Sequence, residues 1–417
     1  MSPNNKLLKF IIGGLFIFAI STSAGIAKTK ISYWTHTYDP AVPVNEVMVK
    51  EFMKMNPDVE VSYDHVPHAQ YEPKLLTAFA AGTAPDVFWA GDWLMPKWIP
   101  LGLLDPVDYS FWGVKSYKEF VNLFEKGAME PYIWHGKVYA AGISEYNTFS
   151  VFYHPDDFKQ AGIPLPSETK PMSWEEFAKI AEKLNKFDSS GKRLRSGFES
   201  VYNVPIWAVL ILEPQIRQIG GEIVKDEQPQ FNSPQMMKVL NWWYELKKKK
   251  VIDPSFIVSI GDDFAHGRLS MTIAGPWFIS WVRSINPNIK MSVMPLPVFK
   301  GGKRVTTLYS WQWHVASSSR HKKIAWKFAH YVATQPLRWW HKVRYIEPMK
   351  GVISKIVKEE PLLKTFEEDF KYGKYEFRSR KYYKLSEILM RTWQRVIMEG
   401  MSPEKALKTA QKEAEKA

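Results

Sequence analysis

Residues 71–93 read YEPKLLTAFAAGTAPDVFWAGDW, and no other stretch narrows the fold as far. Leu75, Leu76, Phe79 and Ala80 recur at three to four residues, the spacing of a helix with one apolar face. Gly82 follows as a left-handed cap, and Pro85 blocks continuation. Val87, Phe88 and Trp89 then form a wholly apolar run, as expected of a parallel strand covered on both faces. Upstream, residues 30–34 read as a strand. Val44, Val47, Met48, Phe52 and Met55 keep helical spacing as far as Asn56-Pro57-Asp58, and Val59, Val61 and Tyr63 alternate with polar residues. Strand, helix, strand, helix, strand opens a doubly wound α/β sheet. Ligands of such sheets lie in the crevice outside the carboxyl ends of the strands. Gly91, Asp92 and Trp93 should therefore face a ligand, as should Trp34, His36 and Tyr38 around the end of the first strand. A carboxylate among indoles suits a hydroxyl-rich partner.

A chain of 417 residues is too long for one ordinary core, so two lobes are expected. Hydrophobic residues at 45% provide for both and argue against disorder. Of the 18 Trp most must be core, with a surplus that fits a site stacking on sugar rings. Lys6 and Lys9 precede an apolar run over residues 10–20 and small residues over 21–27, the make-up of an export signal cut after Ala27, or alternatively after Ala24. The apolar run is short for a membrane span. Cysteine is absent, which excludes disulfides, thiolate metal sites and a Cys nucleophile. It also leaves no Cys for lipid attachment, so a soluble periplasmic protein is expected. The formal charge of +13 is scattered rather than gathered into one stripe, and nucleic acid is not an expected partner.

Further along, residues 111–130 read as helical, 136–142 as a strand leaving the first lobe, 143–148 as the crossing and 149–153 as a strand of the second. Ser173-Trp174-Glu175-Glu176 is a capping box. Ser233-Pro234 opens a helix whose buried face is Met236, Val239, Leu240, Trp243 and Leu246. Residues 293–298 read as the return crossing, 324–333 as a helix, and Ser402-Pro403 as the start of the last one.

The block 84–92, APDVFWAGD, resembles the matching block of maltodextrin-binding proteins, which are extracellular solute-binding proteins of ABC sugar importers. Residues 271–277, MTIAGPW, and 294–301, MPLPVFKG, agree with it in content and order. The resemblance implies an α/β fold of two lobes, each a mainly parallel sheet flanked by helices, with a ligand cleft between them. It implies an export signal at 1–27, an N-terminal lobe at 28–140 with a return segment at 295–335, and a C-terminal lobe at 141–294 completed by helices at 336–417. It further implies capture of a sugar by hinge closure, delivery to ABC permease subunits, a monomer, and neither catalysis nor cofactor. In that family the Trp of the GPW motif stacks on the sugar, a role that falls to Trp277, while Trp89 and Asp92 match ligand positions. Two departures bear on the identity of the sugar. Trp93 stands where the family often has Arg, and residues 309–314, YSWQWH, replace a segment that more often contains glycine.

The remaining candidates are Glu145, with Asn147 as the alternative at its position, Trp207 in Pro205-Ile206-Trp207-Ala208, read equally as core or ligand-facing, and Trp311, one of two Trp flanking Gln312 on a strand. Asp92 and Glu145 accept from sugar hydroxyls in a binder. The rival reading, an exported glycoside hydrolase or lyase, makes them an acid and a nucleophile. A third reading keeps the binding fold but gives it an anionic ligand such as a uronic-acid oligomer or phosphorylated polyol, motivated by the basic charge. His65 and His68 flank a proline and lack a third ligand, so no metal is expected. No phosphate-cradling, dinucleotide-binding or zinc-protease motif occurs.

Overall fold

The computed structural model describes residues 28–417; the expected export signal, 1–27, lies outside the described residues. Alternation sets β1 (Thr29–His36), which turns Ile31, Tyr33 and Thr35 into the core. Then come α1 (Val42–Met55), β2 (Val59–Val66), α2 (His68–Ala80) and β3 (Val87–Gly91), in the expected alternation. Gly82 takes φ +69° after α2, the left-handed turn that lets the chain fall back into β3. All five residues of β3 are buried.

The chain next forms β4 (Gly142–Thr148) and β5 (Ser150–Tyr153), then α3 (Trp174–Leu184), α4 (Pro205–Gln218), α5 (Pro234–Lys248) and α6 (Ile260–Ala265). It continues through β6 (Met271–Ala274), α7 (Phe278–Ile285), β7 (Ser292–Met294), β8 (Thr306–Val315) and α8 (Lys322–Ala333). After further short helices come β9 (Gly373–Tyr375), α9 (Tyr382–Ile397) and α10 (Pro403–Glu415).

The strands make two sheets and two lobes. In the first, β1 lies between β2 and β3, parallel to both, and β8 runs antiparallel to β3 and to β4 and parallel to β9. In the second, β5 is the central strand, antiparallel to β6 and β7. Parallel bridges from Ser196 to Leu269 and from Glu199 to Thr272 extend that sheet, so β5 is the one strand set against the common direction. Phe149 alone separates β4 from β5, and the crossing between lobes is nearly one continuous strand. Among the described residues no helix is long and apolar enough to cross a membrane.

Three local expectations need correction. Residues 111–130 contain only the short helix Tyr117–Val121 between single turns, because Gly113 and Gly127 adopt φ +67° and +86° and interrupt any longer helix. The crossing at 143–148 is itself β4, since its backbone pairs with β8, while the strand expected at 136–142 is reduced to Lys137–Val138 in a small hairpin. The return at 293–298 begins as β7 within the second sheet, and the strand that rejoins the first sheet is β8. By contrast, Ser173 Oγ accepts from Glu176 N (3.1 Å) as the capping box requires, and the five residues assigned to the buried face of α5 are all buried.

The second lobe is closed by α9 against α4, α5 and α10. Trp243 of α5 meets Trp393 of α9 at 4.8 Å in an edge-to-face contact, and its indole N–H donates to Gln215 (2.9 Å). Gly197 fits tightly in this lobe: a Cβ there would lie 1.9 Å from the carbonyl oxygen of Ala181 in α3. Gly197→Ala should therefore destabilise the protein by about 1–3 kcal/mol, seen as a lower thermal midpoint. An unchanged midpoint would mean that α3 shifts freely.

Candidate functional site

A cavity of about 790 Å³ lies between the two sheets. One wall is built where the three parallel strands end. His36, Tyr38 and Asp39 follow β1, Pro67 and His68 follow β2, and Trp93 follows β3. The opposite wall comes from the second lobe: Val204, Ile206, Trp207 and Leu210 at the start of α4, Asp262 of α6, and Trp277, Trp281 and Ile285 along α7. The floor is the crossing itself, with Glu145 of β4, Phe149, and Tyr309 and Trp311 of β8. Every strand-to-loop turn that the parallel order places at one end of the first sheet thus faces the cavity.

Aromatic rings dominate the lining, and backbone clefts hold them in place. Trp93 meets Trp311 edge-on at 5.0 Å and donates its indole N–H to Glu72 (3.0 Å). Across the cavity Trp207 stands at 80° to Trp277, and Trp277 is followed by Trp281 one helical turn on. Trp277 donates its indole N–H to the Tyr309 hydroxyl. Three of these rings rest where glycine leaves room. A Cβ would fall 2.1 Å from the Trp93 ring at Gly91, 2.4 Å from the Trp281 ring at Gly261 and 2.6 Å from Trp277 Nε1 at Gly275. Tyr38 spans the cavity mouth, its hydroxyl donating to the Trp277 carbonyl (3.1 Å) and meeting Ser280 Oγ (2.9 Å), so the two walls touch directly.

The interior is poor in charge. Glu145 is 6% exposed, and burial pushes its carboxyl up to about 8. It is thus a neutral acid at pH 7, able to donate as well as accept. Burial likewise lowers the pKa of His36, with the nearby His68 adding to the effect, while His68 itself is exposed. The two imidazoles meet edge-on at 4.7 Å. His65 instead pairs with Thr37 Oγ1 (2.9 Å), and among the described residues no group of three or more side chains could hold a metal.

Of the residues expected at the site, His36, Tyr38, Trp93, Glu145, Trp207, Trp277 and Trp311 are brought together on the cavity, and Trp34, Trp89, Asp92 and Asn147 are not. Trp34 sits farther back on β1 under Lys74, whose ammonium lies 4.5 Å from its ring. Trp89 is 3% exposed behind the wall, its indole N–H given to Ser144 Oγ and its ring stacked on His36 at 4.7 Å. Asn147 lies beneath Glu145 and donates to it (3.3 Å).

Asp92 is the main correction. Both of its oxygens are taken, Oδ1 by the Ser310 N–H (2.7 Å) and Oδ2 by the Arg378 guanidinium (2.7 Å), and Arg378 also donates to the Asp92 carbonyl (2.6 Å). A fully buried carboxylate needs such partners. It locks β3, β8 and the C-terminal segment together and has nothing left for a ligand.

Phe149, Tyr309, Trp281 and Asp262 line the cavity without having been expected, whereas Asp39 belongs to the loop after β1 expected as a ligand wall. Trp281 and Ile285 were within reach of periodicity, because they stand four and eight residues beyond Trp277 on one helix face. The others depend on which loops the fold brings opposite each other.

Comparisons with known proteins agree with this fold. The family model described as bacterial extracellular solute-binding protein matches residues 39–336. A binding protein of Brucella abortus (strain 2308) is 23% identical over 329 residues, covering 76% of this chain and 74% of the relative. The maltotriose-binding protein of Pyrococcus abyssi is 26% identical over 319 residues, covering 74% of this chain and 63% of the relative. Among solved structures, an ABC transporter solute-binding protein from Thermotoga lettingae bound with α-D-tagatose superposes with a TM-score of 0.81 at 21% identity, covering 93% of this chain and 99% of that one.

Two substitutions separate the carboxyls by role. Asp92→Ala should lower stability by about 2–3 kcal/mol in denaturant unfolding, because it strands a buried N–H and a guanidinium; wild-type stability would show the ion pair to be dispensable. Glu145 behaves oppositely. Its folded pKa of about 8 lies above the ordinary carboxyl value, so the folded state holds a proton that the unfolded state has lost, and stability falls as pH rises towards 8. Glu145→Gln should thus be more stable than the parent at pH 8, with the difference vanishing near pH 4. A pH-independent difference would mean that the carboxyl titrates normally.

Proposed function

The chain belongs to the family of bacterial extracellular solute-binding proteins, and from that premise we propose that it is the substrate-binding component of an ABC importer, capturing a sugar or oligosaccharide in the periplasm. The observation that carries this reading is the aromatic cavity between the lobes, with Trp93 on one wall, Trp207 and Trp277 on the other, and Glu145 beneath. Pyranose faces present C–H groups that pack on indole rings, while hydroxyls at the ring edge need polar partners such as Glu145, the imidazole of His36 and the hydroxyls of Tyr38 and Tyr309.

The lobes are taken as 28–140 with the return at 295–335, and 141–294 completed by 336–417. Closure about the strands joining them brings Tyr38 onto Trp277 and Ser280. A sugar touching both walls binds the closed form more tightly than the open one, and only that difference shifts the population. The closed form then docks, as a monomer, on membrane permease subunits that draw energy from a separate ATPase. Export by the leader at 1–27 places the binder where such a permease takes up its cargo. The hydrolase reading is less well supported, because Asp92, one of the two carboxylates it requires, is committed to Arg378 and Ser310 outside the cavity.

Intrinsic tryptophan fluorescence, titrated with a panel of neutral oligosaccharides, tests the proposal. A saturable change with the sugar recovered intact is expected, and accumulation of product would establish an enzyme instead. In the same assay Trp277→Ala should weaken binding at least tenfold, in the range of about 2 kcal/mol typical of a buried aromatic anchor. Undiminished affinity would remove Trp277 from the site.

A further inference from the structure

The chain carries a formal charge of +13, yet among the described residues no Lys or Arg lines the cavity. Its charged lining is acidic only, Asp39 from the loop after β1 and Asp262 from α6, beside the protonated Glu145 of β4. Asp39 and Asp262 are exposed and come from opposite lobes, one on each wall of the cavity. Neither takes part in an ion pair among the described residues.

We propose that this cavity is a charge filter: the two unpaired carboxylates admit saccharides that are neutral or bear an amino group, and turn away those carrying a carboxylate or phosphate. This inference rests on the sugar-binding reading and adds the chemical class that the site excludes. The physical basis is twofold. Two like charges on facing walls of the cavity repel an anion during encounter and again in the closed complex, where water is displaced and screening is weaker. Inside, the anion finds no Lys or Arg to replace its hydration, the His36 imidazole is held neutral and Glu145 keeps its proton. A hydroxyl-bearing ring meets neither penalty. An ammonium group gains from the same field that repels the acid. The basic surplus of the chain thus lies away from the path of the ligand and says nothing of its charge.

The test is calorimetric titration of the protein with maltotriose and mannobiose, each beside its C6-carboxyl and C6-amino counterpart, at low and at physiological salt. For whichever parent sugar binds, the carboxyl form should bind at least about tenfold more weakly at low salt and the amino form at least as tightly as the parent. The double variant Asp39→Asn/Asp262→Asn, at exposed positions that folding tolerates, should narrow the gap between carboxyl form and parent by at least about threefold. A carboxyl form that binds as tightly as its parent, or a gap that the double variant leaves unchanged, overturns the filter while the sugar-binding reading stands. Silence from every sugar overturns that reading, and the filter with it.

Discussion

A strand buried along its whole length survives only if both of its edges are paired, and the architecture answers that demand for β8. All ten of its residues are buried. Leu308 pairs with Thr148 and with Tyr375, and Trp311 with Glu145 and with Gly91, so β4 takes one edge while β3 and β9 share the other. Through those pairings the strand holds the first sheet, the crossing and the C-terminal segment in register. The bulge at Ser144, the extra residue of β4 between the Trp311 and Gln312 pairings, adds a twist at the point where Trp311 turns to the cavity, and Ser144 Oγ closes the irregularity by donating to the Trp311 carbonyl (2.9 Å). The floor of the site is therefore as rigid as the sheet it belongs to. Motion must arise on either side of it, in the loops and helices that β4 and β8 carry apart.

The two carboxyls singled out in the sequence show how one side-chain type reaches opposite ends through its neighbours. Burial raises the pKa of Asp92 as well, but the Arg378 guanidinium and the Ser310 N–H oppose that rise and engage both of its oxygens. Glu145 is enclosed with an amide and aromatic rings, and it keeps its proton. The first became an internal tie and the second a polar group in an otherwise aromatic floor. Residue type decides that such a group is costly to bury. Only its surroundings decide what is made of the cost.

How much could be read in advance follows from how local each signal is. The doubly wound start, the capping box at Ser173, the buried face of α5 and the left-handed Gly82 are set by spacing within a dozen residues, and each stands in the structure as read. The clustering of Trp93, Trp277, Trp207 and Trp311 was legible because strand ends and helix starts point their side chains in known directions. The fate of Asp92 was not, because Arg378 lies 286 positions away and no periodicity links the two. The helix expected over 111–130 failed for the converse reason. Its apolar residues are real core, as Phe120 and Phe124 are, but two positive-φ glycines break the backbone that would have aligned them. Asp262 looks like an ordinary solvated carboxylate until the lobes are set face to face.

Three of the cavity's indoles rest on glycines, Trp93 over Gly91, Trp281 over Gly261 and Trp277 over Gly275. The width of the slot between the walls is consequently set from behind, by positions that no ligand reaches. A single methyl added under a ring would push the whole indole forward, altering which sugars fit while every contacting residue stays the same. Comparison of lining residues across relatives would miss such a change altogether. Preference in this cleft can drift through its foundations as readily as through its facing surfaces.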